Sequence, residues 1–429
     1  MTLGPSPDGA QTLPAPLVAR TVRVDPEDLP ADLMDLLPPE GGNAWVRRGD
    51  GLVAWGEVAA LRTEGEDRFA DADAAWRTAM AHAVVRDEVR LPGTGPVAFA
   101  SFAFADDSPA GGILVVPRVV VGRRGEDAWL TTVDVGAMAP AARLEPTEPP
   151  LGPGDVTYRP GGLSPDAWRS AVAEAVAAIR AGRLDKVVLA RDVEARTAHP
   201  LDPRWVLHRL ATDYPGCWTF SVGGLVGATP ELLVRSEKGL VTSRVLAGTI
   251  RRTGDDDADL AHAGVLAHSS KDLEEHEYAV ASLTRALEPF CSSTNVPETP
   301  FVLHLPNVLH LATDVTGVLG EEGTSSLALA AALHPTAAVA GTPTADAVTL
   351  LARLERMDRG RYAGPVGWLG ADGDGEWGIG LRSAELDADD QHRLRLFAGC
   401  GIVAASVPDS ELAESEAKLE PMRHALGED

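Results

Sequence analysis

Cysteine is scarce in this chain of 429 residues: Cys217, Cys291 and Cys400 are the whole supply. Three scattered thiols make neither a disulfide framework nor a cysteine-rich metal cluster, and they fit a reducing cytoplasm. Positive charge is short as well. Lys and Arg total 38 against 63 Asp and Glu, a formal net charge of −25. That balance argues against a nucleic-acid partner, yet it leaves room for a local cationic pocket that takes a small anion. The N-terminus, MTLGPSPDGAQTLPAP, lacks the basic segment and apolar core of a secretory signal. No apolar run reaches membrane length: the longest, near Leu327 to Val339, is alanine-rich and broken by His334 and Pro335. Also missing are an HExxH pair, a P-loop lysine signature, a GxGxxG that opens a helix and a Ser-His-Asp order. These absences argue against zincin, P-loop, dinucleotide-binding and serine-hydrolase chemistry.

What is present suits a globular protein of one large domain or two ordinary ones, with 45% hydrophobic and 24% charged residues. Residues 1–18 read as a flexible leader rich in Pro, Gly and Ser. Residues 19–150 mix apparent strands with one helix around Ala72 to Val85. A proline- and glycine-rich connection, Arg143 to Pro160, follows. Beyond it, Ser164-Pro165-Asp166 starts a helix, with a capping hydroxyl, a first-turn proline and an acid at the positive dipole end. Trp168, Val172, Val176 and Ile179 recur at helical spacing until Gly182. Another helix spans about Lys271 to Pro289, strands fall near Pro365 to Leu386 and Leu394 to Val403, and a last helix runs from about Asp409 until Pro421 limits or kinks it.

The strand LDKVVLARDVE, Leu184 to Glu194, poses a problem. Lys186 shares a pleat face with Val188 and Ala190, and an ammonium aimed at a core costs several kcal/mol unless it is paired or gives up its proton. Either the side chain bends out to water or something needs an amine there. In DSELAESEAK, Glu411, Glu414 and Lys418 lie along one helix face; by itself that reads as a solvated stripe with a surface ion pair. The preceding FAGCGIVAAS puts Gly399 and Gly401 on one face of an apolar strand, where a ligand can approach the backbone. In SKDLEEHEYAVASLTRAL, Asp272 and Glu275 continue into the small residues Ala279, Ser282 and Ala286. Two helices bearing carboxylates could share one hard divalent cation, most plausibly magnesium, or could simply be solvated. GEWGIGLRSAEL alternates, placing Arg382 beside Gly378 and Gly380, with room for a bidentate carboxylate. Glu231 opens a strand after a proline, where a glutamate is usually exposed. His310 and His334 read as structural histidines as readily as catalysts.

Taken together, nine stretches in consistent order resemble the chorismate-utilising enzymes: isochorismate, anthranilate, aminodeoxychorismate and salicylate synthases. They are KVVLAR, TPELLVR, LAGTIRR, SKDLEEHE, LHLAT, LHPT, YAGPVGW, GEWGIGLRSAEL and FAGCGIVAASVPDSELAESEAK, spread over about Pro165 to Met422. The resemblance implies an α+β fold of two stacked, mainly antiparallel sheets flanked by helices in α/β/β/α order, with the active site between them. Residues 160–426 would be the chorismate-binding catalytic region, and 19–150 the family's variable first half. It also implies that Glu275 and Glu414 hold magnesium, with Asp272 and Glu411 acting through water. Lys418, Gly399 and Gly401 would then bind the ring carboxylate, Tyr362 and Arg382 the enolpyruvyl carboxylate, and Gly248, Thr249 and His310 would line the ring.

The branch within the family turns on the nucleophile, which adds at C2 as the C4 hydroxyl leaves. Water needs a base, and an amine that gives up its proton can be one. Lys186 occupies that position, where anthranilate synthases resemble this motif with glutamine. Aminodeoxychorismate synthases place a covalent lysine in the motif that here carries Ala247. Glu231 matches the acid that protonates the departing hydroxyl. The implied activity is magnesium-dependent, reversible isochorismate synthesis from chorismate, by a monomer with no glutamine amidotransferase subunit and no membrane or nucleic-acid partner. The alternatives are a salicylate synthase, which shares Lys186 and goes on to eliminate pyruvate, and a non-catalytic chorismate- or metal-binding homologue. Cys400 stands where a small alanine is usual, AAVAG departs from the common PAVGG, and Ser383 replaces a frequent cysteine.

Overall fold

The computed structural model describes residues 15–427 apart from 141, 307 and 321–322, and apart from the side chains of Lys271 and Glu275. Among them, alternating strands pair into one long ladder. Pairing starts with Phe301–His304 and Val308–Leu319, then passes through Leu240–Arg251, Leu232–Glu237, Gly375–Ile379, Pro365–Gly370 and Val97–Phe102. It crosses the two longest strands, Gly112–Arg124 and Asp50–Thr63. From there it runs through Asn43–Arg47, Trp218–Val222, Leu225–Thr229, Ser383–Leu386 and Arg393–Ile402 to Lys186–Thr197. Every pairing on this path is antiparallel.

The α+β class and the antiparallel pairing match the sequence reading. The two anticipated sheets, however, are hydrogen-bonded into one ladder, because the two long strands bridge its halves, with a β-bulge between Glu57 and Ala59.

Helix Pro165–Arg180 forms as its pattern predicts. Ser164 Oγ accepts the Ala167 N–H at 3.3 Å, and Trp168, Val172, Val176 and Ile179 are buried. Three boundaries differ from the sequence reading. The first helix is Arg68–Ala81, because Val84 and Val85 join a short strand, Val84–Asp87, that pairs in parallel with Leu17–Val24. Leu17 and Val18, assigned to the leader by composition, belong to that first strand, and Leu17 is fully buried. Residues 1–14 of the leader lie outside the described residues. The last helix, Pro408–Ala425, continues through Pro421; Pro421 and Met422 are buried there, and that packing offsets the hydrogen bond proline cannot donate. Among the described residues no helix is long and apolar enough to cross a membrane.

Candidate active site

Where the two ends of the ladder face one another, a cavity of about 510 Å³ opens. One end brings Lys186, Gly399 and Gly401; the other brings Gly248, Thr249 and His310. Helices Ser270–Leu287 and Pro408–Ala425 add Asp272 from the first and Glu411, Glu414 and Lys418 from the second. Glu231, Tyr362 and Arg382 complete the lining. Every site residue expected from the sequence is therefore brought together except Glu275, whose side chain lies outside the described residues.

The lysine problem has a local answer. Lys186, Val188 and Ala190 do share one face, and that face lines the cavity rather than a packed core. The amine arm runs over Gly401: a β-carbon there would stand 3.0 Å from Lys186 Cε and 3.5 Å from Nζ. Along its edge the strand's backbone is clamped by a buried ion pair, whose Arg359 also lines the cavity. Glu355 accepts the Ala190 N–H at 2.7 Å, and Arg359 donates to Val188 O at 2.6 Å while binding Glu355 Oε1 at 2.5 Å and Oε2 at 2.8 Å. Sequence reasoning missed this pair. Its only mark is i, i+4 spacing in LERMDR, which reads as an ordinary helix-surface ion pair.

Glu231 is buried, against the exposure its position suggested. Its backbone explains why. The Glu231 N–H donates to Thr229 Oγ1 at 3.2 Å, and Glu231 O accepts the Ile379 N–H at 3.2 Å, so the residue is stitched into the sheet with its side chain inward. Burial pushes its carboxyl up from 4.5 to about 8, and Lys186 and Lys418 only partly oppose the rise. At neutral pH Glu231 is a protonated acid.

Gly248 is the extra residue of a bulge between Ala247 and Thr249, with φ +80°. Glycine suits that left-handed backbone, and a β-carbon would press on Asp272 Cβ at 3.2 Å. The bulge sets Thr249 opposite His310, whose Nδ1 lies 2.9 Å from Thr249 Oγ1. Burial, with Arg382 and Lys418 nearby, lowers the His310 pKa to about 3, so the ring is uncharged. Its buried Nε2 has no hydrogen-bond partner among the described residues.

Arg382 is not on a strand. It follows Gly375–Ile379 and precedes Ser383–Leu386, with φ +47°, so the alternation anticipated through GEWGIGLRSAEL breaks at this residue. A non-glycine residue held in that region stores strain of order 1–3 kcal/mol; here Arg382 lines the cavity beside Leu381, with Nη1 3.9 Å from Cys217 Sγ. Tyr362 stacks on Phe397 with ring centroids 5.0 Å apart. Burial pushes its phenol up to about 12, leaving a neutral hydroxyl donor.

Lys418 Nζ donates to Gly399 O at 2.9 Å and meets Glu414 Oε1 at 2.8 Å. Burial works against its charge, but the Glu414 carboxylate beside it holds the proton on and keeps the ammonium. Of the chain's four lysines, Lys186 and Lys418 are both in this cavity. The helix bearing Lys418 is tied down by Arg191, which binds Ser415 Oγ at 3.1 Å and Glu416 Oε1 at 2.6 Å.

Carboxylate oxygens of Glu411 and Glu414 and the Cys400 sulfur lie within 4.8 Å of one another. Burial pushes the Cys400 thiol up, and its S–H donates to Glu411 O at 3.3 Å. The thiol therefore stays protonated, and the donors on offer are hard oxygens, which suit a magnesium-like cation.

The sequence profile of the chorismate binding enzyme family matches residues 16–427. The salicylate biosynthesis isochorismate synthase of Pseudomonas aeruginosa is 35% identical over 454 aligned residues, covering 97% of this chain and 92% of that protein. Isochorismate synthase MenF of Bacillus subtilis is 31% identical over 406 residues, covering 88% and 85%. In three dimensions the chain is similar to the menaquinone-specific isochorismate synthase MenF of Escherichia coli, with a TM-score of 0.80 and 25% identity over 97% of this chain and 96% of that one. Anthranilate synthase component I of Streptococcus pneumoniae shares the fold, with a TM-score of 0.70 at 21% identity over 88% and 92%. With residues 16–427 matched and its motifs gathered in one cavity, the chain belongs to the chorismate-binding enzymes.

Proposed function

We propose that this protein is an isochorismate synthase that adds water at C2 of chorismate and expels the C4 hydroxyl. The observation that carries the reading is the pairing of a buried, protonated Glu231 with the amine of Lys186 in one cavity. Attacking water forms the C2–O bond and gives its proton to Lys186. The double bond shifts, the C4–O bond breaks, and the leaving hydroxyl takes the Glu231 proton and departs as water. Chorismate carries two carboxylates, and two cationic groups answer them: Lys418 with the Gly399 and Gly401 backbone for the ring carboxylate, Arg382 with the Tyr362 hydroxyl for the enolpyruvyl carboxylate. Gly248, Thr249 and the uncharged His310 line the ring. Glu414 and Glu275, with Asp272 and Glu411 through water, would hold magnesium, which when bound supplies positive charge for the ring carboxylate. The enzyme works in this reading as a cytoplasmic monomer without an amidotransferase subunit.

Incubation with chorismate and magnesium, followed by separation of products, tests the proposal. Isochorismate as the sole product supports it. Salicylate with pyruvate makes the protein a salicylate synthase, and unchanged chorismate with measurable binding makes it a non-catalytic homologue.

A further inference from the structure

Glu231 lines a second cavity as well as the first. This rear space, about 270 Å³, shares Glu231 and Ala338 with the active-site cavity. It is far larger than the roughly 10–15 Å³ needed for one water. Exposed Ser282 and Ala332 form part of its wall, so it reaches the surface. Its lining offers polar partners for water. Thr336 Oγ1 is buried without a hydrogen-bond partner among the described residues. Ser243 spends its hydroxyl proton on Leu233 O at 2.6 Å and keeps its lone pairs open. A buried acid that lines both a reaction cavity and a rear space open to the surface is placed to exchange protons through the second while working in the first.

The reaction needs such an exchange. Each turnover leaves the Glu231 proton on the departing water and an extra proton on Lys186. The two changes cancel in sum, but each residue must be reset separately, and a water molecule formed at Glu231 must leave while product still fills the front. We propose that the rear cavity is the water route of Glu231: it carries the newly formed water outward and returns a proton from solvent to the carboxylate. This inference rests on the isochorismate synthase reading above.

Two variants that avoid the active-site cavity test it. Ser282→Trp closes the exposed mouth, and Ala286→Phe fills the interior; Ser282→Thr leaves the route open. With chorismate and magnesium, the closed variants are expected to lose about tenfold in kcat with KM within twofold. Their solvent deuterium isotope effect on kcat should rise as proton return becomes limiting, while Ser282→Thr behaves as wild type. A folded Ser282→Trp protein with wild-type kcat and isotope effect overturns the route. So does a loss of kcat in which KM rises and the isotope effect stays put, since that reports a distorted site. Absence of isochorismate from the wild-type reaction would instead remove the functional reading itself.

Discussion

The amine arm of Lys186 lies against Gly401, so close that a β-carbon on residue 401 would stand 3.0 Å from its Cε. That is tighter than nine in ten β-carbon contacts, and the flexible lysine is the part that must give, by a few tenths of an ångström. Gly401→Ala is therefore expected to move the amine while leaving the carboxylate sites in place. A displacement of about 1 Å at a reacting group costs up to about a hundredfold in rate, so a shift of a few tenths of an ångström should lower kcat by roughly three- to tenfold with little change in KM. Steady-state kinetics on chorismate checks this, and an unchanged kcat would separate Lys186 from the chemistry.

In the proposed mechanism Glu231 should set the alkaline limb of activity. With its carboxyl raised to about 8, the acid form is present below that value and lost above it, so kcat/KM should decline as pH rises through about 8. Stability moves the same way. Between 4.5 and about 8 the folded state holds a proton that the unfolded chain has released, so stability falls with rising pH across that window. At about 1.4 kcal/mol per tenfold difference in proton affinity, the loss is at most roughly 5 kcal/mol. Glu231→Gln should abolish turnover and flatten the urea-unfolding free energy over this range. A variant with the wild-type slope would place the titration elsewhere.

Much of the site was legible because its residues break the pattern of their elements. Lys186 interrupts an apolar strand face, Gly399 and Gly401 interrupt another, and Glu411, Glu414 and Lys418 line one side of a helix; each of those faces lines the cavity. What could not be read was set by tertiary contact. Glu231 is buried because its backbone is stitched to Thr229 and Ile379, contacts that a local sequence cannot display. Arg382 reaches the cavity through a positive φ rather than strand alternation, so the period-two pattern named a residue that lines the cavity but anticipated the wrong geometry for it. Glu355 and Arg359 look like a surface pair until the Lys186 strand is laid beside them. The continuous ladder was hidden for the same reason, since nothing in a strand's sequence names its distant partner.

Metal affinity should follow the carboxylates. Glu414 now shares its charge with Lys418 at 2.8 Å. Glu414→Gln is expected to weaken the magnesium dependence of turnover by more than tenfold, and Asp272→Asn, acting through water, by about tenfold. Magnesium titration of activity checks both, and superimposable titrations would place the ligands elsewhere.

The Glu355–Arg359 pair should act as a unit. Removing one partner leaves an uncompensated buried charge, and Arg359→Met alone should cost about 3–5 kcal/mol of stability. The double variant Glu355→Gln with Arg359→Met should cost less than the sum of the single changes. Urea unfolding of the four proteins measures the coupling; additive costs would show that the two residues stabilise the Lys186 strand independently.

The proposed chemistry hinges on one nitrogen, and product analysis of Lys186→Ala beside the wild type tests it most directly. With chorismate and magnesium, the wild-type protein should form isochorismate until the reversible reaction balances. Lys186→Ala should form none while binding chorismate with nearly unchanged affinity. Isochorismate made by the alanine variant at the wild-type rate would contradict the assignment of the water-activating amine to residue 186.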